Sequence, residues 1–143
     1  MAVAGAAWLG WQELWARGGD RPLLWKDVTG PTIAEPPRSE LRVFRSRGSL
    51  LRYLRWGGAV TLPTELDFDR FDAVLIAAGP RSSSAYELSV LRVTEERRRI
   101  VVTVRERTPS LARPGTARLT FPFRLILIER RGKDVTLDWE GRP

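Results

Sequence analysis

The sequence predicts a mainly β domain, either an antiparallel β-sandwich or a strongly coiled sheet, with about seven strands and one short helix. Short stretches alternate apolar and polar residues, as from Val135 to Trp139. Glycine- and proline-containing turns separate these stretches. No helical pattern of the length needed for a crossover connection lies between them. The single helix leaves a small α+β domain as the alternative.

The stretch from Leu66 to Val93 is the centre of the predicted fold. Ala73 to Ala78 is apolar without interruption, which indicates a strand covered on both faces. Gly79-Pro80 ends this strand, because proline lacks the N–H that a strand interior needs. A polar loop, Arg81 to Ser84, follows, and a second strand begins near Tyr86. The pattern predicts a hairpin with an exposed tip.

Two strands and the helix are predicted upstream of this hairpin. Leu23 to Val28 reads as a short apolar strand, and Leu41 to Arg45 as a strand with one solvated face. Ser46 or Ser49 is a suitable N-cap for a helix that ends near Trp56, before a Gly-Gly pair.

Downstream, the alternation of apolar residues changes phase in the strand after Tyr86, which predicts a β-bulge near Val90. Ile100 to Arg107 is the most regular strand of the chain. Thr108 to Leu119 contains two prolines and a glycine and predicts a long exposed loop. Thr120 to Ile128 is the next strand.

The composition excludes several kinds of site. The 143 residues include no cysteine and no histidine, so zinc sites and histidine-dependent catalytic triads are excluded. We expect no metal and no cofactor. Four acids cluster between Glu65 and Asp72, but they lack the spacing of a calcium-binding loop. We interpret them as a solvated strand edge followed by a turn capped at Asp69.

The net charge of +7 would suit an anionic partner such as nucleic acid. Of the 24 basic residues only Lys26 and Lys133 are lysines, a bias that genome composition can also produce. The arginines are scattered along the chain, so nucleic acid is the less favoured partner. A basic sheet face remains an alternative, built from Arg92, Arg105, Arg107 and Arg124.

Residues 1–22 are predicted to lie outside the domain, which spans residues 23–143. The apolar, tryptophan-rich start, Met1 to Trp15, is typical of the end of a signal or anchor segment whose charged beginning was lost to a late start codon. An amphipathic helix docked on the domain or on a partner is the alternative. Export would place the protein in the cell envelope or the secreted space, and a cytoplasmic location is the alternative.

From about residue 62 to 130 the chain resembles the C-terminal domain of the protease complex subunit PrcB family. The features that carry the resemblance are Pro63 with Asp67-Phe68, the strand that ends in Gly79 with its loop closing on Tyr86, the strand from Ile100 into Thr108-Pro109, and Thr120 to Phe123. One position departs from the family, which has glycine where Ala85 stands. If this position needs a positive φ, alanine would be strained by about 1–2 kcal/mol.

The resemblance implies a non-catalytic subunit that accompanies a surface protease. We therefore predict a non-enzymatic module that binds another protein, a protease among the candidates, through its two exposed loops. The predicted contact residues are Arg81, Ser82, Ser83, Ser84, Tyr86, Arg113 and Arg118. A protease inhibitor is an alternative, because the loop from Pro80 to Tyr86 is similar to the binding loop of chagasin-like inhibitors. Catalysis is less favoured, because the loop serines have no histidine partner.

Overall fold

The computed structural model describes residues 20–30, 34–55, 62 and 66–141. This part of the chain forms one helix, α1 (Arg47–Leu54), and ten strands. The strands are β1 (Arg21–Pro22), β2 (Trp25–Asp27), β3 (Ser39–Phe44), β4 (Phe71–Ala78), β5 (Arg81–Ser83), β6 (Glu87–Glu95), β7 (Arg99–Arg107), β8 (Ala117–Thr120), β9 (Phe123–Glu129) and β10 (Asp134–Glu140).

The strands form two four-stranded sheets and one two-stranded sheet. The front sheet has the order β1-β6-β7-β10, the back sheet has the order β2-β9-β4-β3, and β5 pairs with β8. The front and back sheets share one hydrophobic core, so they stack as a sandwich. The predicted mainly β class with one short helix is confirmed.

The core between the sheets consists of inward-facing side chains of the central strands. Val74 and Ile76 of β4 and Ile126 of β9 meet Val102 and Val104 of β7, and none of the five is exposed to solvent. Burial of an aliphatic side chain of this size stabilises the folded state by about 1.5–3 kcal/mol.

A second core lies on the other face of the back sheet. Leu50 and Leu54 of α1 pack there with Ala73 and Leu75 of β4 and Leu125 of β9. Odd-numbered residues of β4 therefore face the helix and even-numbered residues face the front sheet, as the alternation of a strand requires. This explains the uninterrupted apolar run and confirms that β4 is covered on both faces.

The helix begins as its sequence predicts. The Ser46 side chain accepts a hydrogen bond from the Ser49 N–H at 3.2 Å, which makes Ser46 the N-cap. The helix ends at Leu54, with Arg55 as C-cap. The predicted end near Trp56 lies outside the described residues. No helix in the described ranges is both long and apolar enough to cross a bilayer.

Ten strands form where about seven were predicted, because three short strands lie in segments that were predicted as linker or loop. β1 lies just before the predicted strand from Leu23 to Val28, and only β2 lies within it. β1 and β2 belong to different sheets. β8 lies almost entirely in the predicted loop from Thr108 to Leu119, and the strand predicted from Thr120 to Ile128 begins only at Phe123, as β9. Part of the predicted polar loop becomes β5. The predicted hairpin is wrong, because β4 belongs to the back sheet and β6 to the front sheet.

The expectation of purely antiparallel pairing is wrong for one pair. β10 runs parallel to β7, with Asp134 opposite Arg99 and Glu140 opposite Arg105. Between these two strands the chain passes through β8 and β9, so it crosses to the other sheet and returns in the same direction. Such a crossover is what a parallel neighbour requires.

Two local predictions concern irregular backbone. The pairing of β6 with β7 shifts between Val90 and Arg92, which confirms the bulge near Val90. The turn before β4 is capped by Asp67 rather than Asp69, because the Asp67 side chain accepts the Asp69 N–H at 3.0 Å. The Asp67 carbonyl also accepts the Phe71 N–H at 2.9 Å.

Of the other two acids of this cluster, Glu65 lies outside the described residues, and Asp72 is not solvated, contrary to the prediction. Asp72 is buried, and its carboxylate lies 3.2 Å from Arg130 Nε and 3.7 Å from Arg45 Nη1. No group of three or more acidic residues among those described is placed to hold a metal ion. Of the predicted segment 1–22, residues 1–19 lie outside the described part of the chain.

Candidate functional site

The two loops predicted as exposed lie side by side. We call Gly79–Tyr86 and Thr108–Leu119, together with Thr120, the loop pair. β5 pairs antiparallel with β8, with Arg81 opposite Thr120 and Ser83 opposite Ala117. The two segments thus form a small sheet of their own at one end of the sandwich.

Two of the predicted contact serines hold the loop pair together. The Ser83 hydroxyl donates to the Pro114 carbonyl at 2.9 Å and accepts the Ala85 N–H at 3.1 Å. The Ser84 hydroxyl accepts the Thr116 N–H at 2.8 Å. Ser83 is also buried, so its side chain is not accessible to a partner. The exposed Ser82 and Ser84 remain predicted contact residues.

Gly115 allows the two segments of the loop pair to approach each other closely. Its φ is +68°, and a Cβ there would lie 2.6 Å from both the Ala85 nitrogen and the Ser83 hydroxyl oxygen. No residue other than glycine has a positive φ in the described ranges, so the strain expected at Ala85 does not arise. The residue that must be glycine is Gly115, on the segment that faces Ala85.

Arg81 anchors the loop pair to the front sheet. Its guanidinium forms two hydrogen bonds with the Glu106 carboxylate on β7, at 2.7 and 3.2 Å, and both side chains are largely buried. The guanidinium also lies 5.9 Å from the centre of the half-buried Tyr86 ring. Because this arginine is already paired, it is less available to a partner than predicted.

The pairing of β5 also bears on the inhibitor alternative. A chagasin-like loop would present Pro80 to Tyr86 as a free segment. Instead, Ser83 and Ser84 of this segment are hydrogen-bonded to Pro114 and Thr116. The more exposed segment of the loop pair is the other one, in which residues 110–119 are all exposed.

That accessible segment exposes two leucines and two arginines. Leu111 is fully exposed at the tip and Leu119 is 67% exposed, and Arg113 and Arg118 are exposed beside them. Ser110 and Arg113 exchange two main-chain hydrogen bonds of 3.1 Å, which close the tip into a tight turn. The sequence analysis did not identify these leucines. Apolar residues in a loop rich in proline and glycine are the signal that could have identified them.

A cleft of about 260 Å³ lies beneath the loop pair. Three half-buried aromatic side chains line it, those of Tyr86, Phe121 and Phe123. Arg118 and Glu35 also line the cleft. The site therefore combines an exposed apolar tip with an aromatic floor and charged flanks.

The outward arginines of the front sheet do not form a basic face. Arg92 and Arg105 both pair with Glu140, and Arg107 pairs with Glu87. On the back sheet Arg124 lies near acids as well and donates to the Leu88 carbonyl at 2.7 Å. The four arginines predicted to build a basic face are therefore each near a carboxylate, so these residues do not form the unbalanced positive patch typical of a nucleic-acid interface.

The fold and the loop pair define a class of protein: a helix-backed β-sandwich that carries an ordered, exposed loop pair at one end. Residues 73–129 match the family model described as PrcB C-terminal. The match confirms the resemblance read from the residues, and it runs from the third residue of β4 to the end of β9, including the whole loop pair. The comparisons with curated proteins and with solved structures found no match.

Proposed function

We propose that this domain is a non-enzymatic module that binds another protein through the exposed segment of the loop pair. A protease is the first candidate for the partner, as the resemblance to the PrcB family implies. The match to the PrcB C-terminal family over 73–129 supports this proposal.

The observation that carries the proposal is the full exposure of Leu111 at the tip of a hydrogen-bonded turn. Burial of a leucine side chain in an interface is favourable by about 1.5–3 kcal/mol. Arg113 closes the turn at the tip and Arg118 is exposed further along the same segment. Arginine is enriched at the residues that dominate interface energetics.

The order of the loop pair also favours binding. Bonds from Ser83 and Ser84 to the facing segment hold the tip in one conformation before a partner arrives. A preorganised loop loses less conformational entropy when it binds, so more of the contact energy contributes to affinity.

The polar groups beside the loop pair support a binding role over catalysis. Glu106 is engaged by Arg81, and Glu87 is engaged by Arg107. The Ser83 hydroxyl already donates to a carbonyl. A general base or an activated nucleophile would need one of these groups to be available to a substrate.

The test compares single leucine variants in a binding experiment. The immobilised domain captures its partner from an envelope extract, and the partner is identified by mass spectrometry and purified. We expect Leu111→Ser or Leu119→Ser to weaken binding of the purified partner at least tenfold, as the loss of a buried leucine predicts.

Leu24→Ser is the matched control, because Leu24 is 63% exposed but lies near Glu129, at the far end of β9 from the loop pair. This variant should bind as the wild type does. Equal binding by all three variants would contradict the proposal, and so would equal loss by all three.

We also propose that the protein functions in the cell envelope or the secreted space, which the family resemblance implies. Fractionation of the source cells with an antibody against residues 66–141 tests this. Recovery of the protein in the cytoplasmic fraction alone would overturn it.

A further inference from the structure

The strand β3 is the last strand of the back sheet in the order described. It pairs only with β4 in the described part of the chain, in an unbroken register from Ser39 opposite Ala78 to Phe44 opposite Ala73. β3 contains no proline and no bulge, the two backbone features that commonly protect edge strands from pairing.

The register shows which backbone N–H and C=O groups of β3 point away from β4. The Ala78 N–H donates to the Pro122 carbonyl at 2.9 Å, so even-numbered residues of β4 bond towards β9. Odd-numbered residues of β4 therefore bond towards β3, and they lie opposite its even-numbered residues. The backbone groups of Ser39, Leu41 and Val43 consequently point away from the sheet.

The charged side chains of β3 alternate in sign along one face. Arg42 Nε lies 2.9 Å from the Glu40 carboxylate, and the Tyr53 hydroxyl of α1 donates to the same carboxylate. On the other face, Leu41 and Val43 are only partly buried against the sandwich core.

We propose that β3 pairs antiparallel with β3 of a second copy of this chain, with Leu41 opposite Leu41 of that copy. In this register the outward backbone groups face each other, so both strands gain main-chain hydrogen bonds. Glu40 of each copy then lies opposite Arg42 of the other, in the closely spaced type of pair where opposite charges attract most.

The neighbouring symmetric registers are unfavourable. Pairing centred on Glu40 or on Arg42 places like charges directly opposite each other, which is destabilising. In a register shifted by one residue from any of these, the outward backbone groups of one strand face the inward groups of the other, so the hydrogen-bond ladder cannot form. The alternating charges therefore disfavour both symmetric registers next to the proposed one, which joins the two back sheets into a continuous sheet.

Charge-swap variants test the dimer by sedimentation equilibrium of the purified chain. Glu40→Arg and Arg42→Glu each place like charges opposite each other, and each should raise the dimer dissociation constant at least tenfold. An equimolar mixture of the two variants should form a heterodimer, because each glutamate then faces an arginine. The double variant E40R/R42E should associate as the wild type does.

A second variant leaves these charges unchanged. Leu41→Cys should give a disulfide-linked dimer on mild oxidation, since the chain has no other cysteine and the two-fold axis passes between the Leu41 residues. Val135→Cys is the control, because Val135 is half-buried on another edge strand, β10. If the charge-swap variants fail to fold, the comparison of Leu41→Cys with Val135→Cys still tests the proposed dimer.

A wild-type chain that stays monomeric at millimolar concentration would overturn the proposal. So would a dimer that is insensitive to the single swaps, a mixture that stays monomeric, or equal cross-linking at positions 41 and 135. None of these outcomes depends on the loop pair, so the dimer and the proposed binding function fail or succeed separately.

Discussion

Gly115 packs directly against Ala85, with room for a hydrogen but not for a methyl group between them. A Cβ at position 115 would lie 2.6 Å from the Ala85 nitrogen and 2.7 Å from its Cβ. This contact joins the two segments of the loop pair at the point where Ser83 and Ser84 bond across it. The exposed tip is therefore positioned by a close backbone approach as well as by hydrogen bonds.

Gly115→Ala should lower the free energy of unfolding by more than the backbone alone explains. The positive φ costs about 1–2 kcal/mol, and the clash with Ala85 adds about 1–3 kcal/mol. Gly132→Ala is the matched control, since Gly132 has φ +69° but nothing within 4 Å of an added Cβ. Urea denaturation measures both variants. Equal losses would show that the contact with Ala85 contributes nothing.

Arg81→Met should destabilise the fold by about 2–3 kcal/mol, because it leaves the largely buried Glu106 carboxylate without its main partner. Arg99→Met breaks a pair of the same 2.7 Å length, but there the arginine is exposed. The change in stability there should be near the limit of detection. Thermal or urea unfolding of the two variants compares them. A similar loss in both would mean that burial does not set the strength of these pairs.

The hydrogen bond between Tyr53 and Glu40 predicts a pH dependence of stability. Burial and the bond to Glu40 raise the pKa of Tyr53 from 10.0 to about 12. Burial would raise the pKa of Glu40, but the hydrogen bonds from Tyr53 and Arg42 outweigh it and lower that pKa. A raised tyrosine pKa contributes stability that is complete below pH 10 and is lost as the pH rises through about 12.

Tyr53→Phe should therefore be less stable than the wild type at neutral pH, and the difference should shrink between about pH 10 and 12. Urea midpoints measured across this range test the expectation. If the difference in stability between the two proteins stayed constant across this pH range, the Tyr53 hydroxyl would have the same pKa in the folded and unfolded states.

Ser46→Ala should cost about 1 kcal/mol of stability, because it removes the side chain that caps α1. Ser46→Asp should restore or exceed the wild-type value, since the first turn contains no acid and a carboxylate there favours the positive end of the helix dipole. Denaturation midpoints give both values. A loss with aspartate as large as with alanine would exclude capping as the cause.

The features predicted correctly from the sequence depend on neighbouring residues. The helix cap at Ser46, the bulge at Val90 and the two-sided burial of Ala73 to Ala78 each follow from local periodicity or local hydrogen bonding. Of the predicted contact residues, Arg113 and Arg118 are exposed on the loop and Ser83 is buried. The sequence indicated neither the burial of Ser83 nor the exposure of Leu111, because exposure inside an irregular loop has no periodic signal.

The sequence by itself determined a β-rich domain without thiol or imidazole chemistry, the approximate position of its long strands, and its single capped helix. The tertiary structure decided which segments pair: β5 with β8, β10 parallel to β7, and β1 and β2 in opposite sheets. The physical reason is the sequence separation over which each kind of interaction acts. Alternation and capping act over a few residues, whereas the partner and direction of a strand depend on how distant segments close a common core.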